Sequence, residues 1–353
     1  MSASLPRFDH PLIEPTVSVV VVNYNGGEGL LRCLKSLLID GYPHKEILVV
    51  DNASTDGSRA MLENLMASSD CQVNLLWSDR NLGYAGAVNL AMRSAAGCYL
   101  AILNMDVEVD AGWLEPLVAF LDAHPNVAAV NPLIALASHE SINAAGQDIH
   151  ITGLGFNKGL GRPLAEAGRN AFPVSGIQGG AFVVRRSILD LTGGMDARGF
   201  LYHEDVNLSW LLRLMGLELY CVPESLVRHD YFLSMYPAKL QLLERNRWAM
   251  LLAYLRWPAI VLLLPALILT EVLMWGYCIL RGPAFGSAKL RSYKWVFSEW
   301  SHIRSRRHLA ERLRAVSDWK VLSNLKWGYA WDQFRVLGKE RGRSRRQPAE
   351  LPM

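Results

Sequence analysis

Three carboxylates and one histidine have the residue types of a site that handles charge. Asp106 follows the apolar run Cys98–Leu103 and Asn104-Met105, at the tip of an expected buried strand. Glu204 and Asp205 open an expected helix, and His229 stands 24 positions beyond Asp205. Residues this far apart meet only through folding. A carboxylate and an imidazole suit Mg²⁺ or Mn²⁺, ions that bridge diphosphates. Such an ion offsets the charge that grows on a diphosphate leaving group. A further carboxylate facing the reacting carbon can take the proton from an attacking hydroxyl. Asp205 suits that role, with Glu204 orienting the acceptor hydroxyl. One in-line displacement of this kind inverts the reacting carbon and needs no enzyme nucleophile. Plainer roles compete: Asp106 as a turn residue, Glu204-Asp205 as helix-start charges, and His229 as an interfacial residue.

Other candidates lie at expected strand ends. Val17–Val22 is a β-branched run of the kind buried on both faces of a parallel sheet. It ends in Asn23-Tyr24-Asn25-Gly26-Gly27, and a helix is expected over Leu30–Leu38. The strand Glu46–Val50 runs into Asp51-Asn52-Ala53-Ser54-Thr55-Asp56-Gly57, rich in cap and turn residues. Asp51 can accept from a pyrimidine N–H or a ribose hydroxyl, or cap the next helix. After a strand near Val73–Trp77, Arg80-Asn81-Leu82-Gly83 leads into a small-residue helix, Ala85–Ala96. The planar guanidinium of Arg80 suits phosphate, with a solvated surface role as the alternative. A helix over 112–123, strands near Val127–Val130 and Ala181–Val184, and a helix over Glu204–Leu214 complete the pattern. Residues 135–175 are Gly-rich and weakly periodic, and read as loops over the active face. Strands alternating with helices imply a mostly parallel α/β sheet with right-handed crossovers. Ligands of such sheets bind at the carboxyl ends of the strands, where Tyr24, Asp51, Arg80 and Asp106 all fall.

Composition narrows the setting. The 353 residues hold 36 Lys/Arg and 33 Asp/Glu, but beyond residue 281 the basic residues number 16 against 6 acidic. An acidic body with a basic end points to an anionic surface. Aromatic residues are not interleaved with the basic clusters of the end, so lipid is favoured over nucleic acid. The five cysteines are scattered without metal-ligand spacing, which favours a reducing compartment. The first residues lack an apolar core, so no signal peptide is expected. Gly26-Gly27-Glu28-Gly29 is not a dinucleotide fingerprint, and there is no phosphate loop, serine elbow or Cys-pair zinc pattern.

Pro258–Leu280 is an apolar stretch with one charge, Glu271. Its length can span a bilayer, but positive charge flanks it on both sides and gives no orientation. One span and a re-entrant pair fit equally, and a buried soluble helix is the alternative. The basic clusters 304–307 and 341–346 would adhere to anionic lipid. Just before the stretch, Arg245 and Arg247 in Glu244–Trp248 could grip an acceptor diphosphate or serve as plain anchors.

The motifs Val19–Asn25, Val50–Ser58, Arg80–Tyr84, Leu103–Val107 and Glu204–Val206 occur in this order and resemble glycosyltransferase family 2, within it the rhamnosyltransferase-like branch. The resemblance covers about residues 16–250. It implies a GT-A nucleotide-sugar-binding fold, a divalent metal (Mg²⁺ or Mn²⁺), inversion, and a dTDP- or UDP-sugar donor. It also implies a polyprenyl-linked or other glycan acceptor at the cytoplasmic face of the membrane. By this resemblance Tyr24, Asn25, Asp51, Asn52, Arg80, Asn81, Gly83, Asn104 and Asp106 hold the donor. Gly179, Gly180 and Glu204 face the acceptor, Asp106 and His229 hold the metal, and Asp205 is the base. The branch commonly reads Asn-Pro-Asp where this chain has Asn104-Met105-Asp106, and Asn207 replaces a usual acidic residue. The expected organisation is an arm over 1–15, a catalytic domain over 16–235, a membrane-associated helical segment over 236–300 and a basic tail over 301–353. A non-catalytic, membrane-anchored nucleotide-sugar-binding scaffold is the rival reading. A processive synthase is disfavoured because no Gln-x-x-Arg-Trp motif is present.

Overall fold

The structure, a computed structural model, describes residues 17–68, 73–137, 140–231 and 233–333. The expected arm over 1–15, Cys71 and the basic cluster 341–346 lie outside the described residues. The first half of the chain is a βα alternation. It comprises β1 (Val17–Asn23), α1 (Gly27–Ile39), β2 (Lys45–Asp51), α2 (Ser58–Ser68), β3 (Val73–Trp77), α3 (Gly83–Ser94) and β4 (Tyr99–Asn104). Then come β5 (Val107–Val109), α4 (Leu114–Ala123) and β6 (Val127–Leu136). β1 pairs in parallel with β2 and β4, and β2 with β3, so that Asn23 stands beside Asp51 and Val22 beside Asn104. The expected strand-end cluster is therefore one edge of one sheet.

The 135–175 region is more ordered than its weak periodicity implied. It contains β7 (Ile142–Ala144), β8 (Gln147–Ile149), β9 (Gly155–Asn157) and β10 (Phe172–Pro173). These strands have two or three residues each, too few for a hydrophobic period to show. Next are β11 (Ala181–Arg185), α5 (Arg186–Thr192), α6 (Glu204–Leu214) and β12 (Glu218–His229). The sheet runs β10-β12-β6-β11-β4-β1-β2-β3, with β11 antiparallel to β4 and β6, and β12 parallel to β6. Sequence reading missed β12. Its register shifts between Val222 and Leu226, where Pro223 interrupts the ladder.

Alternation along β1 sorts the core into two layers. Val20 and Val22 pack with α3, α5 and α6, whereas Val17, Val19 and Val21 pack with α1 and α4. Cys33 and Cys221 are buried core residues and Cys98 is exposed.

The C-terminal part is helical: α7 (Pro237–Tyr254), α8 (Trp257–Arg281), α9 (Pro283–Ser298), α10 (Trp300–Leu313) and α11 (Asp318–Leu322). Residues expected to form a basic tail from 301 thus begin as a helix. Arg307 of α10 donates to the carbonyls of Leu252 and Leu255 at 2.7 and 2.9 Å. Arg314, just after α10, donates to the Tyr254 carbonyl at 2.6 Å. These basic residues cap the end of α7, which explains why a charge count alone misread them. α8 is long and apolar enough to cross a membrane by length and composition.

Candidate active site

Four chain segments meet at a cleft of about 1090 Å³. The β4–β5 turn supplies Asn104 and Asp106, and the turn before β11 supplies Gly179 and Gly180. The start of α6 supplies Glu204 and Asp205, and the end of β12 supplies His229. β5 pairs with β12 in the register Val107–His229, and this brings Asp106 to the histidine. Asp106 Oδ1 lies 3.2 Å from His229 Nε2. On the far side of the ring, Nδ1 is 3.0 Å from Asn143 Oδ1. With Nδ1 donating to the amide oxygen, Nε2 is the ring nitrogen on the Asp106 side that a cation would take. That arrangement, with an outer partner fixing the tautomer, suits a metal-binding histidine.

Among the described residues no group of three or more His, Cys, Asp or Glu side chains could hold a metal. Asp106 and His229 would offer a divalent cation one oxygen and one nitrogen ligand, and the ion would supply positive charge beside a diphosphate.

The two carboxylates of α6 have unlike surroundings. Asp205 Oδ2 accepts from Gln147 Nε2 at 2.8 Å and from the Gly179 N–H at 2.9 Å, while Oδ1 accepts from the Val206 N–H at 2.8 Å. Glu204 Oε2 is buried without a partner among the described residues. Burial, and secondarily the neighbouring Asp205 charge, pushes the Glu204 carboxyl up to about 8. Burial also raises Asp205, opposed by its N–H donors and Gln147. The two share their titration, as closely placed carboxylates do.

The chain enters α6 through a contorted turn. Phe200, Tyr202 and His203 all have positive φ, at 68°, 64° and 72°. Phe200 is a γ-turn of the rare positive-φ hand, closed by the Leu201 N–H on the Gly199 carbonyl at 2.9 Å. Asn246 of α7 holds this turn: its Nδ2 donates to the carbonyls of Gly199 (3.0 Å), Leu201 (3.2 Å) and Tyr202 (2.8 Å). From the other side the Tyr84 N–H donates to the Phe200 carbonyl at 2.8 Å. A Cβ on Gly83 would meet that carbonyl oxygen at 2.2 Å, so only glycine allows the approach. Burial drops the His203 imidazole to about 4, and its neutral ring donates through Nε2 to the Gly153 carbonyl at 2.8 Å.

The expected donor residues form an adjoining hydrogen-bonded frame. Asp51 is buried, accepting from Asn23 Nδ2 at 2.8 Å and the Ser54 N–H at 3.1 Å. It braces the loops after β1 and β2. Asn25 Oδ1 accepts from the Thr55 N–H at 2.7 Å, and Asn52 Nδ2 donates to Asn81 Oδ1 at 2.9 Å. Asn81 Oδ1 also accepts from the Gly83 N–H at 2.9 Å. The Tyr24 N–H points at Met105 Sδ, 3.3 Å away, and joins this frame to the Asp106 turn. Arg80 is exposed at its rim.

The two acceptor arginines are placed otherwise than expected. Arg247 borders the cleft, but its guanidinium is committed to Glu244 (2.8 Å) and Glu271 (2.6 Å) and to the Thr152 carbonyl (3.1 Å). Arg245 lies over the Trp295 ring at 4.5 Å and donates to the Gly199 carbonyl at 3.1 Å. Four of the five N–H groups of Arg247 are engaged and the side chain is buried, so its expected grip on a diphosphate gives way to a role in holding helices together. Sequence reading also missed Asn143, Gln147 and Asn246. The first two are lone amides among small and apolar residues, and the third was masked by its charged neighbours.

Residues 18–190 match the family described as Glycosyl transferase family 2. An N-acetylglucosaminyl-diphospho-decaprenol L-rhamnosyltransferase of Mycobacterium tuberculosis is 31% identical over 234 residues, 60% of this chain and 75% of that protein. The chain is a family 2 glycosyltransferase. An O-antigen biosynthesis protein of Myxococcus xanthus is 29% identical over 256 residues, 69% of this chain and 19% of that one. Among solved structures, a mannosyltransferase of Pyrobaculum calidifontis in complex with GDP-Man and Mn²⁺ aligns with a TM-score of 0.52 at 18% identity. The alignment covers 89% of this chain and 88% of that one. GalNAc-T7 with UDP, GalNAc and Mn²⁺ aligns at 0.59 and 21% identity, covering 68% of this chain and 48% of that one. These likenesses show the GT-A fold, and the transferase carries a C-terminal helical region beside it.

Proposed function

We propose that this transferase moves one sugar, rhamnose, from a dTDP- or UDP-linked donor to a polyprenyl-linked glycan, with inversion, at the cytoplasmic face of the membrane. The observation that carries the reading is the convergence of two unlike pairs, one carboxylate–imidazole and one dicarboxylate, on one cleft. Asp106 with His229 sits at the strand edge beside the donor frame, and Glu204 with Asp205 faces them across Gly179-Gly180. The lining of the same cleft also includes Leu233, Met235, Leu240, Leu243 and Met274, which suits an acceptor with a lipid part. The rhamnose and the polyprenyl carrier are taken from the name of the mycobacterial relative.

In this reading Asp205 takes the proton of the acceptor hydroxyl. Gln147 and the Gly179 N–H hold its carboxylate in one orientation. Glu204, buried and unpartnered at Oε2, accepts a second acceptor hydroxyl and fixes the attacking one. When bound by Asp106 and His229, a divalent ion supplies positive charge for the departing diphosphate.

The test is nucleotide release by detergent-solubilised protein offered UDP-, dTDP- and GDP-sugars with Mg²⁺ or Mn²⁺ and a lipid-diphosphate acceptor. Release from one donor is expected, and Asp205→Asn should lower it by about 10²–10⁴-fold, the usual worth of a general base, while donor binding persists. Full turnover in Asp205→Asn would remove Asp205 from the role of base.

A further inference from the structure

Helix α8 has the length of a membrane span, yet it is tied to neighbouring helices at its start and middle and to the rim of the cleft at its end. At its start, the Arg256 N–H donates to Asp318 Oδ2 at 3.2 Å and the guanidinium pairs with Glu311 at 2.5 Å. At its end, Arg281 donates to the Met235 carbonyl at 3.3 Å, beside the cleft. At its middle, Glu271 pairs with Arg247 of α7 at 2.6 Å and Lys289 of α9 at 2.9 Å. The Trp248 indole N–H donates to the same carboxylate at 3.0 Å. The one charge in the apolar stretch is thus fully used inside the protein.

The two sides of α8 differ. Leu263, Leu267, Thr270, Met274 and Cys278 recur at helical spacing and are buried. Val261, Leu264, Ile268, Val272 and Ile279 form another stripe and are exposed, Val272 at 63% and Ile279 at 75%. If α8 crossed a bilayer, α7 and α9 would be carried with it to hydrocarbon depth. The exposed Arg291 and Lys294 of α9 would then face acyl chains, which charged side chains avoid. The surroundings of the stripe instead match a lipid surface. Over residues 282–333 six exposed Lys/Arg, among them Arg291, Lys294 and Arg304, stand against two exposed Asp/Glu, and exposed Phe297 and Trp300 lie between Lys294 and Arg304. Cations mixed with aromatic rings suit the headgroup level of an anionic membrane.

We propose that α8 lies in the plane of an anionic membrane surface, its outer stripe sunk into the acyl boundary, and does not span the bilayer. This deepens, and rests on, the reading of the protein as a membrane-surface transferase. Met274 of the same helix, with Met235, Leu240 and Leu243, lines the cleft that holds Asp205. The lipid part of an acceptor can therefore reach Asp205 while its tail stays in the bilayer.

The experiment uses the full chain and vesicles of phosphatidylethanolamine with phosphatidylglycerol, with phosphatidylcholine vesicles as comparison. Nitroxides are attached in turn through Val261→Cys, Ile268→Cys, Val272→Cys and Ile279→Cys, on a chain freed of its reactive cysteines, and their immersion depth is read. In-plane docking gives salt-sensitive binding to the anionic vesicles and one shallow depth at all four sites. The pair Ile268→Ser and Val272→Ser should weaken vesicle binding on the order of tenfold, since two apolar side chains lose their transfer into lipid. A depth that passes through the bilayer centre between 261 and 279 overturns the proposal in favour of a span. Absence of vesicle binding, with the chain self-associating through this stripe, overturns it in favour of a second copy. Nucleotide release in detergent separates the two readings: release without vesicle binding sinks the docking alone, and vesicle binding without release sinks the proposed transfer alone.

Discussion

Removing the Asn246 amide should impair catalysis more than donor binding. Its Nδ2 faces three carbonyl oxygens, of Gly199, Leu201 and Tyr202, at 3.0, 3.2 and 2.8 Å. An amide has two N–H groups, so about two bonds are made at a time, worth together about 2 kcal/mol net. They oppose strain at Phe200, Tyr202 and His203, where positive φ in a non-glycine residue costs about 1–2 kcal/mol each. At about 3–6 kcal/mol for the three residues the strain exceeds the clamp, so in Asn246→Ala the turn relaxes away from its active shape. Glu204 and Asp205 follow this turn directly, and a displacement of about 1 Å at a reacting group can cost about 10²-fold in rate. The donor frame around Asp51, Asn104 and Asp106 has no contact with Asn246, so KM for the donor should hold. Asn246→Asp keeps the size but turns oxygen lone pairs toward three carbonyls, and should be worse than alanine. Steady-state assays at saturating acceptor, with urea unfolding as a stability control, give kcat and KM separately. A folded Asn246→Ala protein with kcat within about twofold of the parent would refute the reasoning.

The Glu204–Asp205 pair should set the acid limb of the pH–rate profile. Turnover rises with pH as the pair gives up its shared proton, with an apparent value toward 8, and Glu204→Gln moves that limb to lower pH by removing one charge. A profile flat from about pH 6 to 9 would contradict this. The same shift acts on stability. Folding raises the Glu204 carboxyl from 4.5 to about 8, so between these values the folded chain holds a proton that the unfolded chain lacks. Stability therefore falls as pH rises through that window, and Glu204→Gln should flatten the slope of the urea midpoint against pH. Lys289 is fully buried between Glu244 and Glu271. Lys289→Met leaves two carboxylates to share Arg247 and should cost about 3–5 kcal/mol in urea unfolding, with partial recovery on adding Glu271→Leu. An unchanged midpoint would show that water reaches the cluster.

Much of the sheet was legible because its signals are local. A β-branched run such as Val17–Val22 has one sensible placement, and the polar residues that end β1, β2 and β4 must fall on one edge once crossovers share a hand. The α6 helix was read to its observed limits because its apolar period and its acidic start agree. The short strands over 142–173 and the Pro-interrupted β12 were not legible, since pairing with distant partners, not local pattern, makes them strands.

At the site, sequence supplied the chemistry and folding supplied the partners. The residue types of Asp106, His229, Glu204 and Asp205 were sufficient to suggest a metal-assisted, base-catalysed displacement, which is the reading proposed above. Nothing along the chain could tell that Asn143 orients His229, that Gln147 holds Asp205, or that Asn246 clamps the turn before α6. An amide reports its partner only when the two are brought together. The arginines beside Asn246 make the same point, because a cation looks free in sequence whatever it faces. Buried Glu244 and partly buried Glu271 claim Arg247, and only their three-dimensional placement decided that it braces α7, α8 and α9. The chain by itself determined which groups can do the reaction, because acidity and ligand type belong to single residues. The tertiary structure alone decided which of them are held, charged and open to substrate, because burial and hydrogen bonding belong to pairs.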